Sequence, residues 1–507
     1  MIIPAPKFSQ ATSGTFQLSP STSLHLSTTT PELIHLAGFL KSELQSRYGW
    51  SLTSSEQTNP NSSIILSLDS KNQIPESYEL SIDSNQIRID ASHPSGLFYG
   101  LQSLFQLLPE ISLSTSLIEL AGIAVQDEPR FQWRGMHLDV SRHFFPIANI
   151  KKLLDELALH RLNRFHWHLT DDQGWRFESK RYPLLTEIGG WRIEPNGAKY
   201  GGFYTHEEMR EVVQYATERY IEVVPEIDVP GHARALLAAY PEYSCTGTTQ
   251  SVPNTWGIFD DVLCPGNEST FTFLTNLFEE VCSIFPSEFI HIGGDECPTI
   301  RWKECPDCQQ RMRNEHIHSE HELQSYFTTR IAKMLSNFGK RAIGWDEILE
   351  GEIPSDTAIM SWRGFEGGLR AATAGHDVVM SPVSHCYFDY YQGPRETEPP
   401  AFPNELLLEK VYSFEPIPPE LKENIHHHIL GGQGNLWSEY MPSWEQVEYM
   451  AFPRMCALSE ALWSHEKNYT DFLQRLNLHK NRLKRLHINF HPLPITHNYT
   501  SNCCYMR

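Results

Sequence analysis

The feature that most constrains the fold of this chain is an alternation of short apolar strands and amphipathic helices that begins near Phe131. Eight strand candidates fall in this region, at 135–139, 164–168, 221–226, 289–291, 341–345, 357–361, 377–380 and 429–432. Eight strands that alternate with helices predict an α/β fold, a closed (β/α)8 barrel of the TIM type. An open doubly wound sheet is the alternative, but such sheets usually begin with a glycine-rich phosphate loop, and the sequence contains none.

Helix signals separate the strand candidates. Apolar residues recur at helical spacing between 150 and 157 and again between 472 and 486. Thr205 and Glu208 have the spacing of a capping box, which opens another helix. Gly339 suits the left-handed position that ends a helix. These signals support the barrel, since each strand must be followed by a helix.

The first part of the chain differs in composition from the rest. It is rich in Ser and Thr and contains Trp50 alone of the 12 tryptophans. Strand candidates at 64–68, 78–82 and 87–89 and helix candidates at 33–44 and 96–108 predict a small α+β domain. We therefore expect an N-terminal α+β domain over 1–125, a barrel catalytic domain over 126–490 and a C-terminal tail over 491–507.

The charge balance limits the class of partner. Lys and Arg number 41 and Asp and Glu 62 among 507 residues, which gives a formal charge of −21. Nucleic acids and anionic membranes both require basic surfaces, so neither is an expected partner. No stretch reaches the roughly 18 apolar residues of a membrane span, and no signal peptide is visible. As written the chain is expected to be cytoplasmic, or periplasmic, lysosomal or secreted if a signal was trimmed; its oligomeric state is unknown.

The cysteines include one pair with the spacing of metal ligands. Cys305 and Cys308 form a Cys-x-x-Cys sequence, and Cys297 lies nearby. No matching second pair follows, so we expect reduced thiols in a surface loop, with a zinc site or a redox pair as alternatives. No cofactor and no metal are expected in the active site.

Two adjacent acids end the fourth barrel strand, in the sequence HIGGDE at 291–296. Gly293 and Gly294 let the backbone turn sharply, and Asp295 and Glu296 follow at the end of the barrel where such enzymes keep their chemistry. Adjacent side chains near a strand end point in different directions. We expect one acid to meet the reacting bond while its neighbour positions something beside it.

Polar and aromatic residues also follow the other barrel strands. They are Asp139 and Arg142, then His166, His168, Asp171 and Asp172, then Asp228 and His232, and finally Trp345, Trp362, Tyr387, Asp389, Trp437 and Glu439. Aromatic rings stack on the apolar face of a pyranose, and charged groups bind its hydroxyls. The combination favours a sugar ligand, because a phosphate would require more cations.

Five motifs now carry a resemblance to a known family. They read GLFYGLQSL at 96–104, LDVSRHFF at 138–145, HWHLTDDQ at 166–173, HIGGDE at 291–296 and GGQGNLWSE at 431–439. With these motifs in this order, the chain resembles the family 20 glycoside hydrolases, the β-N-acetylhexosaminidases, from about Gly96 to Trp463.

The resemblance implies exo-acting, retaining hydrolysis of terminal non-reducing GlcNAc or GalNAc residues. The 2-acetamido oxygen of the substrate itself would attack the anomeric carbon. Glu296 would be the general acid and base, and Asp295 would orient the acetamido group. The implied ligand is an oligosaccharide or glycoconjugate that ends in N-acetylhexosamine.

The resemblance also implies roles for the other site residues. Trp345, Trp362 and Trp437 would wall the acetamido pocket and the ring face, and Tyr387 would bind the acetamido oxygen. Arg142, Glu439 and Asp389 would bind the sugar hydroxyls. Asp171 and His232, also expected among the substrate-binding residues, would support the acid and base.

Two other functions stay open at this point. A metal-dependent barrel hydrolase could use His166, His168, His232 and Asp295 as ligands, although only the His-x-His sequence supports it. A non-catalytic sugar-binding protein would be expected to lack the acid, which is present. We expect structural roles for Asp139, Asp172, His166 and His168, and the proline-rich segment 391–419 is a candidate loop over the substrate.

Overall fold

A six-stranded sheet begins the fold. In the computed structural model, which describes residues 2–53, 62–69, 71, 73–110 and 115–492, its strands are β1 (Phe8–Leu18), β2 (Ser23–Leu26), β3 (Ser63–Ser67), β4 (Tyr78–Ile82), β5 (Gln86–Ala91) and β6 (Ile118–Asp127). Their order is β1-β6-β4-β5-β3-β2. Helices α1 (Pro31–Tyr48) and α2 (Pro94–Leu107) pack together, and α2 covers β4 and β5. The predicted α+β domain is confirmed, although β1, β2 and β6 were not expected.

A closed barrel of eight parallel strands follows. The later strands are β7 (Trp133–Asp139), β8 (Arg164–His168), β9 (Thr170–Asp171), β10 (Gly174–Trp175), β11 (Trp191–Ile193), β12 (Lys199–Gly201), β13 (Glu222–Glu226), β14 (Phe289–His291), β15 (Arg341–Trp345), β16 (Ala358–Ser361), β17 (Val378–Met380), β18 (Tyr390–Tyr391), β19 (Phe402–Glu405) and β20 (Ile429–Leu436). The barrel runs β13-β14-β15-β16-β17-β20-β7-β8. The predicted (β/α)8 barrel is confirmed, and the open doubly wound alternative is wrong because β20 pairs with β7 and closes the sheet.

Helices surround the barrel. They are α3 (Ile147–Leu159), α4 (Leu184–Glu187), α5 (His206–Thr217), α6 (Arg234–Ala239), α7 (Glu268–Ile284), α8 (Ile300–Glu304), α9 (Pro306–Asn314), α10 (Glu320–Asn337), α11 (Glu366–Ala374), α12 (Val383–Cys386), α13 (Leu408–Tyr412), α14 (Trp444–Ala451), α15 (Arg454–Trp463) and α16 (Tyr469–Arg485). The capping box of Thr205 and Glu208 opens α5 as predicted. Gly339, at φ 72°, follows the end of α10. None of the described helices combines the length and the apolar content needed to cross a bilayer.

A buried carboxylate holds the carboxyl ends of four barrel strands together. Glu226 lies 2.8 Å from Nε2 of His166, 2.5 Å from Nδ1 of His168 and 2.9 Å from Nδ1 of His291. The Trp345 indole donates to it at 3.0 Å. Burial alone would raise the pKa of Glu226, but the surrounding histidines hold it well below its usual range. The strand ends are therefore fixed by a charged network directly beneath the site.

The junction between the sheet and the barrel is polar and buried. Asp127, the last residue of β6, lies 2.5 Å from the guanidinium of Arg161, and both side chains are fully buried. Tyr78 and Trp463 donate to the same carboxylate at 2.7 and 3.0 Å. The exact domain boundaries remain predictions, and within the predicted tail residues 493–507 lie outside the described part of the chain.

Candidate active site

The turn after β14 depends on two glycines. Gly293 and Gly294 have φ values of 68° and 92°, in the left-handed region that favours glycine. A Cβ atom on Gly293 would clash with the carboxylate of Asp228, and one on Gly294 would clash with Ile348. The close approach of these neighbours therefore requires glycine and fixes the direction in which the next two residues leave the strand.

Asp295 and Glu296 leave that turn into different surroundings. The Asp295 side chain is 12% exposed and that of Glu296 is 38% exposed. Nε2 of His232 lies 3.5 Å from Asp295 and 3.7 Å from Glu296. One acid is thus buried and the other reaches the open side of the site.

A buried network continues from His232 to the far side of the site. Nδ1 of His232 lies 3.2 Å from Asp171, which also lies 2.9 Å from Arg142 and 2.8 Å from Nε2 of His168. Burial would lower the pKa of His232, but the carboxylates of Asp171 and Asp295 raise it well above its ordinary value. His232 is therefore a cation that stabilises negative charge on the acids beside it.

Asp295 itself is difficult to ionise. Burial, together with the negative charges of Glu226 and Glu296, raises its pKa to about 6 against the opposing effect of His232. Its Oδ1 atom is buried and accepts no hydrogen bond from any described residue. A buried acceptor without a donor is costly, so this oxygen is suited to accept an N–H from a ligand.

Aromatic rings enclose the cavity next to Asp295. Trp362 and Tyr387 stack at 6.0 Å between centroids with 24° between planes, and Trp345 lies 5.9 Å from Trp437. The cavity measures about 200 Å³ and is lined by Arg142, His232, Asp295, Glu296, Trp345, Trp362, Tyr387, Asp389, Tyr390, Phe402, Trp437 and Glu439. Burial, with the nearby charges of Asp389 and Asp295, raises the pKa of Tyr387 well above its usual range. Its hydroxyl therefore stays a hydrogen-bond donor.

The opposite side of the cavity is charged. Arg142 lies 3.9 Å from Glu439 and stands over the ring of Trp437. Burial would lower the pKa of Arg142, but Asp171 and Glu439 raise it well above its ordinary value. Burial raises the pKa of Glu439 to about 7, opposed by Arg142. Donors and acceptors are thus both available here for ligand hydroxyls.

The structure brings the predicted site residues together, with one difference in position. Asp171 is 2% exposed and lies behind Arg142 and His232, so it does not line the cavity. Sequence reasoning missed Tyr390 and Phe402, which line the cavity, and Glu347, which accepts a hydrogen bond from Trp362 at 2.9 Å. The sequence could have indicated two of these residues, since Phe402 belongs to the proline-rich segment and Glu347 follows the end of β15.

The residues expected to be structural have structural contacts. Asp139 accepts hydrogen bonds from the backbone of Ser141 and Ser438, and Asp172 accepts one from the backbone of Arg234. His166 and His168 bind Glu226 inside the barrel, whereas His232 lies beside Asp295. The proposed metal ligands of the alternative hydrolase are thus divided between two places.

Comparison with known proteins agrees with this geometry. The family model described as glycosyl hydrolase family 20, catalytic domain, matches residues 131–466, and that described as glycosyl hydrolase family 20, domain 2, matches residues 1–128. A β-hexosaminidase of Porphyromonas gingivalis is 43% identical over 97% of this chain, which spans 64% of that protein. A β-hexosaminidase of Vibrio furnissii is 37% identical, with 90% of this chain and 76% of that protein covered.

A solved structure gives the same result. A GH20 exo β-N-acetylglucosaminidase from Vibrio harveyi, in complex with N-acetylglucosamine, matches with a TM-score of 0.88. It is 34% identical and the match covers 97% of this chain and 78% of that chain. Because a family model covers most of the chain and the fold and motifs agree with it, the chain belongs to glycoside hydrolase family 20.

Proposed function

We propose that this chain is an exo-acting, retaining β-N-acetylhexosaminidase. It removes terminal non-reducing GlcNAc or GalNAc from oligosaccharides or glycoconjugates, and the 2-acetamido oxygen of the substrate is the nucleophile. Family membership and the hexosaminidases among its relatives support the reaction class. The geometry of the cavity supports the finer assignment.

The observation that carries the proposal is the position of Asp295. Asp295 lines a cavity whose walls include Trp345, Trp362 and Tyr387, and its Oδ1 has no hydrogen-bond donor among the described residues. An acetamido group fits this environment, because its methyl packs on the rings, its N–H donates to Asp295 and its oxygen accepts from Tyr387. As the oxygen attacks C1, positive charge grows on the amide nitrogen, and the Asp295 carboxylate stabilises it.

Glu296 performs the proton transfers in this proposal. It is the more exposed of the two acids, so it can reach the glycosidic oxygen at the open side of the cavity. It donates a proton to the departing oxygen and then accepts one from the water that opens the oxazolinium intermediate. His232, close to both acids, balances their charge during the two steps.

The size of the cavity supports exo action. Ligand cavities commonly measure about 300–1,000 Å³, and this one is smaller, at about 200 Å³. Such a space suits a single sugar ring rather than an internal stretch of a polysaccharide. Arg142, Asp389 and Glu439 bind the hydroxyls of that terminal ring.

A matched set of chromogenic substrates tests the proposal. The aryl β-glycosides of GlcNAc, GalNAc and glucose share a leaving group and differ in the 2-acetamido group or at C4. We expect release from GlcNAc or GalNAc and release from glucose lower by at least about 100-fold, since the glucoside lacks the nucleophile. Comparable rates on GlcNAc and glucose would contradict the proposal.

The variant Glu296→Gln supplies the control for the same assay. Loss of the general acid should lower kcat by about 10²–10⁴-fold. Binding of a thiazoline that mimics the oxazoline intermediate should persist, as measured by calorimetry. Near-normal turnover by this variant would remove Glu296 from the mechanism.

A further inference from the structure

Four cysteine side chains meet in a cluster outside the active site. They are Cys245, Cys264, Cys305 and Cys308, and their sulfur atoms all lie within 4.8 Å of one another. The expectation of thiols in a surface loop is wrong, because Cys308 is fully buried and lies in α9. We propose that this cluster binds one structural Zn²⁺ ion through four thiolates.

The spacing of the sulfur atoms matches tetrahedral zinc. Sγ of Cys264 lies 3.7 Å from that of Cys305 and 3.5 Å from that of Cys308, and Sγ of Cys245 lies 3.8 Å from that of Cys308. Four sulfurs at a Zn–S distance of about 2.3 Å are separated by about 3.8 Å at the corners of a tetrahedron. A disulfide would require a separation of about 2.05 Å. A set of four thiolates in this arrangement is typical of structural zinc.

Two turns of backbone are built to hold the cluster. Gly266, two residues after Cys264, packs so closely on the Cys-x-x-Cys turn that a Cβ atom there would clash with the backbone of Asp307 and Cys308. Cys305 is the N-cap of α9 and Cys308 lies in its first turn. The positive end of a helix favours thiolates over thiols. Four thiols that only pack against one another would require neither this close backbone contact nor a position at the start of a helix.

The surroundings suit a closed metal site. Cys264, Cys305 and Cys308 are buried, and Cys245 is partly buried, in a small apolar cluster that includes Trp302. The Trp302 indole donates to the backbone carbonyl of Leu263, which fixes the loop that carries Cys264. With all four positions filled by protein sulfur, the ion would have no site for water or substrate, so its role is structural.

The ion would join two segments that flank the active site. Cys245 and Cys264 lie between α6 and α7, after β13, whereas Cys305 and Cys308 follow the turn that carries Asp295 and Glu296. Cys297 is not part of the cluster; its backbone lies near Gly231 instead. Zinc would therefore anchor the loop after β14 at a point beyond the catalytic acids.

Metal analysis of the full chain tests the proposal. The protein is purified under reducing conditions, passed through a chelating buffer and measured by plasma mass spectrometry. We expect one zinc per chain, and X-ray absorption at the zinc edge should show four sulfur neighbours at about 2.3 Å. Absence of zinc, iron in its place, or a disulfide detected by mass after alkylation would overturn the proposal.

Matched cysteine variants locate the ion. Cys308→Ser and Cys305→Ser should lose the zinc and unfold at a lower temperature, whereas Cys282→Ser, in α7 outside the cluster, should retain one zinc per chain. Full zinc in both cluster variants would contradict the assignment, and if neither folds, the absorption spectrum of the wild-type protein still decides. Glu296→Gln should hold zinc like the wild type, which separates this inference from the proposed activity.

Discussion

Two site residues have strained backbones. His232 and Glu296 have φ values of 49° and 44°, which residues other than glycine rarely adopt. Such strain is retained where the surrounding structure requires it, and it is common at functional sites. Here it directs the imidazole and the exposed carboxyl toward one another, with Asp295 as the third member. The backbone conformations of His232 and Glu296 thus help to bring these three ionisable side chains together.

The pKa of Asp295 predicts a pH dependence. Because burial raises that pKa to about 6, the carboxyl becomes protonated below about pH 6 and, under the proposed mechanism, loses the negative charge that stabilises the amide nitrogen. We expect kcat/KM of the wild type to fall as the pH drops through about 6, whereas Asp295→Asn should have low activity and lack this acidic limb. The pH profiles of kcat/KM for the two proteins provide the measurement.

The same shift predicts an effect on stability. The folded-state pKa lies above the ordinary aspartate value of 3.8, so the ionised carboxyl destabilises the folded state above about pH 6, and this cost disappears below about pH 4. Asp295→Asn should therefore unfold at a higher temperature than the wild type at about pH 8 and at a similar one at about pH 4. An unchanged acidic limb together with equal melting temperatures would contradict the assigned pKa.

At the scale of elements, the turn after β14 depends on glycine for two separable reasons. Gly293 and Gly339 have nearly the same φ, 68° and 72°, but only Gly293 has a neighbour that a Cβ would strike. Gly339→Ala should cost about 1–2 kcal/mol of unfolding free energy from the backbone alone. Gly293→Ala should cost more, because the new methyl also displaces Asp228, and it should abolish activity.

Chemical denaturation and hydrolysis assays on both alanine variants distinguish the two effects. Equal losses of stability, with activity retained in Gly293→Ala, would show that contact with Asp228 does not shape the turn.

Elements with a clear apolar pattern could be predicted from the sequence, and others could not. The eight barrel strands are almost entirely buried, and short apolar stretches such as Phe289-Ile290 and Ala358-Ile359-Met360 mark several of them in the sequence. β1 is exposed over most of its length and carries no such pattern. The cysteine cluster was missed because Cys245 and Cys264 precede their partners by 63 and 41 residues, and only folding brings them together.

The candidate site was predictable where the residue type identified the chemistry. Asp295, Glu296 and the tryptophans follow strand ends, and that position is readable from the sequence. How deeply a side chain is buried cannot be read from the sequence. For this reason Asp171 was expected at the ligand, whereas it lies behind Arg142. The place of Phe402 in the cavity could not be predicted either, because it depends on how a long loop folds back over the barrel.

At the scale of the whole molecule, a buried ion pair should couple the two domains. Arg161→Ala would leave Asp127 as an unpaired buried charge, with an expected cost of about 3–5 kcal/mol. Arg88→Ala provides the control, since its partner Asp90 is partly exposed within one sheet and such pairs contribute about 0–1 kcal/mol. Denaturant unfolding of both variants gives the comparison, and equal stability would show that the Arg161–Asp127 ion pair does not stabilise the junction.

The chain of contacts from Arg142 through Asp171 to His232 has a consequence for epimer discrimination. Under the proposed function, a C4 hydroxyl bound by Arg142 lies two contacts away from the His232 imidazole beside both acids. We therefore expect discrimination between gluco and galacto substrates to appear in kcat as well as in KM.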